Sequence, residues 1–385
     1  MGYHRKLTAA FSIGLCWFSL FVYLPILPAY ARDLGASYEM VGMIVGIYGL
    51  AQMTLRLPLG IISDRLNKRK RFVVAGLVLC FISGAGLYFL HSVASLLLFR
   101  SLAGLAATTW VVHTVLYMSY FQPAESGKAI GLINAIAIAG QMIGTLVGGY
   151  IAYRFDETYT FLVAAAGGLV GLLLSLFISE ETVVRSEPPR WIFILEIGRD
   201  RLLLLSSFLA FILQALCYGT IYGFIPIIAR KIGANNFELG LLPSLFMLPG
   251  ILASVLSGTI FSTKLGVRNS LWISFLLCAA AVMAIPWITD MNVLYLSQML
   301  AGFGQGLSLP MLMELGMKEI EQGKRATAMG FLQTTYGAGM FAGPAAVGFL
   351  AERLGLDWGF WLISLAGIAG ALTAAFVLPR LQTKS

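Results

Sequence analysis

Charge is scarce in this chain: Asp, Glu, Lys and Arg make up 11% of its 385 residues, against about 25% in soluble domains. With 58% of the residues apolar, a water-soluble globule is excluded. No GxxxxGK[ST] loop is present, so ATP-driven work by this chain alone is not expected. There is no HExxH pair and no pair of carboxylates within an apolar run, which leaves a membrane-embedded enzyme acting on lipid as a remote reading. The conduction motif of potassium channels is missing too. The four cysteines, Cys16, Cys80, Cys217 and Cys278, all fall inside apolar runs and form no CxxC pair. Neither a disulfide framework, a metal site nor a cofactor is expected.

Long apolar runs are present instead. A bilayer crossing needs about 20 apolar residues, and twelve segments qualify. Six lie at approximately 7–30, 40–63, 71–90, 94–120, 128–152 and 159–178, and six at approximately 202–228, 239–262, 269–288, 292–315, 326–350 and 358–379. The expected fold is an all-α polytopic membrane protein of two six-helix bundles, residues 1–180 and 201–385. Residues 181–200 are expected to be a cytoplasmic linker, where Pro188-Pro189 breaks helix structure and Trp191 to Leu195 has the composition of a short interfacial helix. Residues 1–31 share features with a signal peptide, but an apolar run of about 22 residues exceeds the usual 7–15, so a retained first helix is expected.

Basic residues outnumber acidic ones by 26 to 18, a balance that could suit nucleic acid. Their placement points to a membrane. In Gly60-Ile61-Ile62-Ser63-Asp64-Arg65-Leu66-Asn67-Lys68-Arg69-Lys70-Arg71, five basic residues crowd one short turn between two apolar runs. With the N-terminus inside, nineteen basic residues fall in cytoplasmic segments and five in external loops, while Arg56 and Arg100 lie within spans. The expected location is an inner membrane, with both termini in the cytoplasm.

The two halves repeat one another. Leu102-Ala103-Gly104 recurs as Leu300-Ala301-Gly302, and Gly140, Gly144 and Gly148 of the fifth span parallel Gly339, Gly343 and Val347 of the eleventh, where Pro344 follows Gly343. Glycines three or four apart let helices approach closely in lipid, so Gly140, Gly144, Gly148, Gly343 and Pro344 are expected at helix contacts. Duplicated six-helix halves are a common build for carriers that bind solute between the repeats.

The chain resembles the major facilitator superfamily over essentially its whole length. Gly60 to Arg71 is similar to that family's signature loop between helices 2 and 3, although Asn67 or Lys68 stands where a later glycine is usual. Gly258, Lys264, Gly266 and Arg268 resemble a degraded copy between helices 8 and 9, and Arg100 with Gly104 resembles the helix-4 motif. Helix 5 departs from the family's proton-driven exporters, with Thr145 after Gly144 where a proline is usual.

The resemblance implies that Gly60, Asp64, Arg65 and Arg69 form a conformational latch. A carboxylate at Asp64 facing the N-terminus of helix 11 would gain about 0.3–1 kcal/mol from the helix dipole; the plainer alternative is that Asp64 caps its own helix. For Arg100 it implies proton relay or substrate contact, with snorkelling to the surface as the alternative. Arg56 is a second buried charge and a coupling or substrate candidate. His113 has the chemistry to couple protons, unless neighbouring carbonyls satisfy its ring. Glu314 is the remaining coupling candidate, and an i,i+4 pair with Lys318 is the plain alternative. Helices 1, 4, 7 and 10 would line the cavity. The lining candidates are Trp17, Tyr23, Trp110, Tyr117, Gln214, Tyr218, Tyr222, Gln298 and Gln305, with Asn134 and Gln141 from helix 5 and Gln333 and Tyr336 from helix 11.

The expected function is proton-coupled export of small amphipathic or hydrophobic compounds. The alternative is uptake or exchange of a small anionic metabolite, with Arg100 or Arg56 as counter-charge. The expected partners are a small-molecule substrate, protons and membrane lipid, without nucleic acid, and the expected working form is a monomer.

Overall fold

A computed structural model describes residues 2–66, 68–122, 125–179 and 199–378. The expected linker falls almost wholly outside the described residues. Everything described is helix or short connection, in twelve transmembrane segments. The first half holds α1 (Gly2–Phe21), α2 (Leu27–Asp33), α3 (Tyr38–Leu66), α4 (Arg69–Phe89), α5 (Val93–Thr108), α6 (Trp110–Met118), α7 (Ser126–Arg154) and α8 (Tyr159–Leu176). The second holds α9 (Arg201–Gly219), α10 (Ile225–Lys231), α11 (Asn236–Leu256), α12 (Gly266–Met283), α13 (Met291–Met317), α14 (Arg325–Leu354) and α15 (Leu356–Phe376). Among the described residues, 8 helices are both long and apolar enough to cross a membrane by composition alone. The segments of α1, α3, α13 and α14 fall short of that standard, and these carry much of the polar inventory: Arg56, Asp64, Gln298, Gln305 and Gln333.

Several expected spans are broken helices. The first bends through residues 22–26, where Leu24 N–H donates to Phe21 O (3.2 Å) and Ile26 N–H to Tyr23 O (3.1 Å). These tight i→i−3 turns surround Pro25, which has no N–H to give. The seventh takes the opposite course and widens into a π turn over Thr220–Phe224 between α9 and α10. The fourth, expected as one helix, is jointed between α5 and α6. There Thr108 and Thr109 turn their hydroxyls back onto the carbonyls of Leu105 and Ala106, each at 2.6 Å, a bonding mode that bends helices.

Caps set where the segments begin. Ser92 and Ser95 form a reciprocal capping box at α5. Asp200 accepts from Leu203 N (2.7 Å), and Asp290 accepts from Asn292 N (2.8 Å) and Val293 N (3.2 Å). Losing such a cap costs about 1 kcal/mol. Asp290→Ala is therefore expected to lower the melting temperature in detergent, with Asp290→Asn restoring most of the loss.

The chain packs as two units: residues 1–34, 54–188 and 235–241 form one, and 35–53, 189–234 and 242–385 the other. Each thus takes the opening stretch of one helix, α3 or α11, from the opposite half of the sequence.

Within each unit the same close contact recurs. In the first, a Cβ added at Gly140 or Gly148 of α7 would collide with the carbonyl oxygen of Gly14 in α1 or of Val22 just past its end, and at Gly144 it would lie 2.9 Å from that of Phe18. In the second, Gly339 and Gly343 of α14 press against the carbonyls of Phe211 and Ala215 of α9. Gly42 of α3 meets the Pro344 carbonyl at the far end of α14. At Gly140, Gly144, Gly148, Gly339 and Gly343 an added Cβ would thus meet main chain of the facing segment.

Candidate functional site

In the first unit the strongest feature is Arg100. It is 0% exposed, and its Nη1 donates to Tyr23 Oη at 3.2 Å. The guanidinium carbon also lies 5.7 Å from the Tyr23 ring centroid. Tyr23 sits in the bend after α1, which is what turns its phenol toward α5. Its ring packs 5.6 Å from Phe161, which in turn lies 5.3 Å from Tyr30. Arg100 is thus held inside the bundle rather than reaching out to its surface.

Arg56 on α3 and Arg69 at the start of α4 are likewise buried. Asp64 and Arg65 occupy the last turn of α3, but their side chains lie outside the described structure. A Cβ at Gly60 would meet Val111 at an ordinary 3.6 Å, so within this unit that glycine is not required for space. His113 is buried on α6. Its Nδ1 lies 3.0 Å from the Thr109 carbonyl, which makes it the N–H tautomer at that nitrogen and leaves Nε2 as an acceptor. Among the described residues Nε2 has no hydrogen-bond partner, so neighbouring carbonyls satisfy only one side of the ring. Trp17 of α1 meets Trp110 of α6 edge-on at 5.4 Å, and Trp17 also lies 5.9 Å from Phe21. Both indoles remain partly exposed, whereas Tyr117 is buried. Asn134 is exposed and turns its amide back to the Ile130 carbonyl at 2.9 Å; Gln141 is half-buried.

At the end of this unit remote from the N-terminus, Tyr30, Asp33, Asp156, Glu157, Thr158 and Asn236 line a recess of about 330 Å³. Tyr30 Oη is 2.9 Å from His91 Nδ1. The Thr158 hydroxyl and then its backbone N–H hold the Asp156 carboxyl below the usual carboxylate range. Asp33 is exposed here.

The second unit carries an aromatic ladder. Tyr48 of α3 stacks on Tyr218 of α9 (6.1 Å between centroids, 16° between planes). Tyr218 lies 5.0 Å from Tyr222 in the π turn, and Tyr222 meets Phe246 edge-on at 6.4 Å. Tyr336 is buried on α14. Gln52 Nε2 contacts Met340 Sδ at 3.7 Å. The oxygens of buried Gln214 and Gln298 have no hydrogen-bond partner among the described residues, while Gln298 Nε2 donates to Ser297 Oγ at 3.0 Å. Gln305 and Gln333 are half-buried. Glu314 is exposed, and no ion pair joins it to Lys318 among the described residues. The structure therefore divides the expected cavity residues: Trp17, Trp110, Asn134, Gln141, Gln305 and Gln333 keep exposed surface, and the others are buried.

Tyr48 and Gln52 lie on the second span, outside helices 1, 4, 7 and 10, to which the family resemblance assigns the cavity. The signal available was their polarity within an apolar run, four residues apart on one helical face.

The fold and this distribution of buried charge and aromatic surface define a polytopic helical carrier. Residues 9–222 and 203–385 both match the Major Facilitator Superfamily, and the chain belongs to that family. It is 24% identical over 340 residues to an uncharacterized MFS-type transporter of Methanocaldococcus jannaschii, covering 86% of this chain and 87% of that protein. It is 23% identical over 380 residues to the multi-drug resistance efflux pump PmrA of Streptococcus pneumoniae, covering 92% of each. Among solved structures, the nucleoside transporter NupG aligns with a TM-score of 0.80 at 16% identity, over 97% of this chain and 98% of that one. At that identity the likeness concerns fold alone.

Proposed function

We propose that this family member is a secondary transporter that exports small amphipathic or apolar compounds in exchange for protons, by alternating access of its six-helix bundles 1–180 and 201–385. The observation that carries this reading is the clustering of uncharged aromatic side chains within the spans of both units, part-exposed at Trp17 and Trp110 and buried in the second unit. Trp17 and Trp110 supply it in one, and Tyr48, Tyr218, Tyr222 and Phe246 in the other. Such walls with few hydrogen-bonding groups suit ring-bearing solutes of varied shape. The full-length similarity to an efflux pump supports the same direction of transport. The protein works as a monomer in an inner membrane, with both termini in the cytoplasm.

Arg100 argues against the anion alternative. A counter-charge has to reach its substrate, and this guanidinium is enclosed and engaged by Tyr23. For proton coupling, His113 has an acceptor nitrogen without a partner among the described residues, and Glu314 offers an exposed carboxylate. Asp64, Arg65 and Arg69 are retained in this proposal as the latch between states.

The test is purified protein in proteoliposomes with an imposed pH gradient. Ethidium movement is expected to follow the gradient and to collapse on adding an ionophore, and His113→Gln or Glu314→Gln is expected to uncouple the two. Gradient-independent movement of ethidium, or uptake of labelled benzoate lost in Arg100→Ala, would overturn the export reading.

A further inference from the structure

The helix α3 serves both units. Residues 35–53 pack with the second unit, and the helix from Thr54 onward packs with the first. That division falls one turn before Pro58, which lies inside α3. Proline has no N–H to give to the Thr54 carbonyl, so the helix is weakest where it changes partners. α11 is divided in the same way between Leu241 and Leu242, beside Pro243.

The opening stretch of α3 covers the tyrosine ladder. Tyr48 stacks on Tyr218, and Tyr48, Tyr218, Tyr222 and Phe246 are 1%, 6%, 7% and 3% exposed. A solute can reach an aromatic row so enclosed only when one of its walls moves away. The wall made by α3 is built to part. Gly42, Gly46 and Gly49 follow one another at steps of four and three along one face. A Cβ added at any of them would strike Pro344, Phe341 or Met340 of α14. Helices that meet through bare backbone can separate without side chains having to repack.

The start of the stretch is fastened by the end of α14. Glu352 Oε2 accepts from the Tyr38 N–H at 2.7 Å, which occupies one of the open donors at a helix N-terminus. Arg353 Nη1 lies 3.9 Å from Glu39 Oε2. Both contacts are exposed to solvent, where such pairs hold weakly. They form a fastening that opens rather than a permanent tie.

We propose that residues 38–53 are a lid over the aromatic ladder, hinged at Thr54–Pro58 and fastened by Glu352 and Arg353. When open, the lid admits solute to Tyr218 and Tyr222 from the face where α3 begins. The inference rests on the export reading for the side concerned, which on that reading is the outside of the cell.

A cysteine in place of Tyr222 reports on the lid. The four native thiols are all buried, so an impermeant charged maleimide reads the new one. Full-length Tyr222→Cys protein in right-side-out vesicles is expected to label slowly. Adding Glu352→Ala is expected to speed labelling about fivefold, the effect of one helix cap. Glu352→Gln keeps an acceptor oxygen and is expected to return most of the way to the parent rate. Pro58→Ala restores the missing N–H and is expected to label more slowly than the parent. Asp290→Ala removes an ordinary cap elsewhere and is expected to leave the rate unchanged, with melting curves reporting on folding throughout. Phe246→Cys serves as a second reporter, so a folding defect at one position leaves the test intact. Equal rates in Glu352→Ala and its parent would overturn the lid, as would equal acceleration by Asp290→Ala. Pro58→Ala labelling as fast as the parent would overturn the hinge. Labelling needs neither solute nor gradient, so lid opening without gradient-driven ethidium movement would sink the export reading alone. Acceleration confined to inside-out vesicles would keep the lid and reverse the orientation in that reading.

Discussion

Gly148→Leu is expected to prevent this protein from accumulating in folded form. A Cβ at that position would run into the Val22 carbonyl oxygen, which belongs to main chain and cannot swing away. Only displacement of α7 from α1 could make room. Overpacking of a tight contact costs about 1–3 kcal/mol, occasionally more, and a whole leucine side chain forced onto main chain lies at the upper end, taking much of a reserve of about 5–15 kcal/mol. Gly148→Ala is expected to fold with a clearly reduced melting temperature. Gly131, on the same helix, has nothing within 4 Å of an added Cβ. Gly131→Ala should therefore be neutral or gain up to about 1 kcal/mol from helix propensity. Equal behaviour of Gly148→Ala and Gly131→Ala in a thermal scan would show that the α1–α7 contact is looser than described.

Arg100→Ala is expected to abolish transport and to destabilise the first unit. A charge enclosed within a membrane bundle is costly and persists only with a specific setting around it. That setting includes the phenol and ring face of Tyr23. Truncating the arginine leaves a large void and strands the Tyr23 hydroxyl. Tyr23→Phe removes the acceptor instead, and a hydrogen bond to a charged group is worth about 1.5–3 kcal/mol. Arg100→Lys keeps the charge but replaces a planar fork with a point charge on a flexible stem, so partial recovery at best is expected. Thermal unfolding and ethidium efflux of the three variants would order them Lys, then Phe at Tyr23, then Ala. Wild-type efflux in Arg100→Ala would show that the charge is tolerated rather than used.

Much of the architecture was readable from composition because lipid imposes simple demands. Apolar runs of bilayer length, basic turns at Gly60–Arg71 and the glycine spacing in α7 and α14 follow from burial of backbone and charge. Arg100 was legible for the same reason, as an expensive residue in an apolar run. Other features had no such signature. In an apolar span, an inward phenylalanine looks like one that faces outward, so buried Phe161 and Phe246 carry no mark in the sequence that sets them apart from exposed Phe208. The passage of Gly35–Met53 into the second unit also leaves no mark on composition. It depends on which glycines meet which carbonyls, as Gly42 does with Pro344. Helix joints were legible where proline caused them, at Pro25, and hidden where a threonine hydroxyl did, at Thr109.

The opposite turns taken after α1 and α9 have a numerical consequence. Phe18 and Ala215 hold equivalent posts against Gly144 and Gly343, 197 positions apart. Ala31-Arg32 and Ala229-Arg230 just beyond the bends are 198 apart. One extra residue has entered the later copy between these points, where the Thr220–Phe224 stretch is wound wide enough to absorb it. The two copies are therefore out of step by a single codon. Excising one residue there should restore ordinary winding, at the price of swinging the Ile225–Lys231 segment about 100° around its own axis.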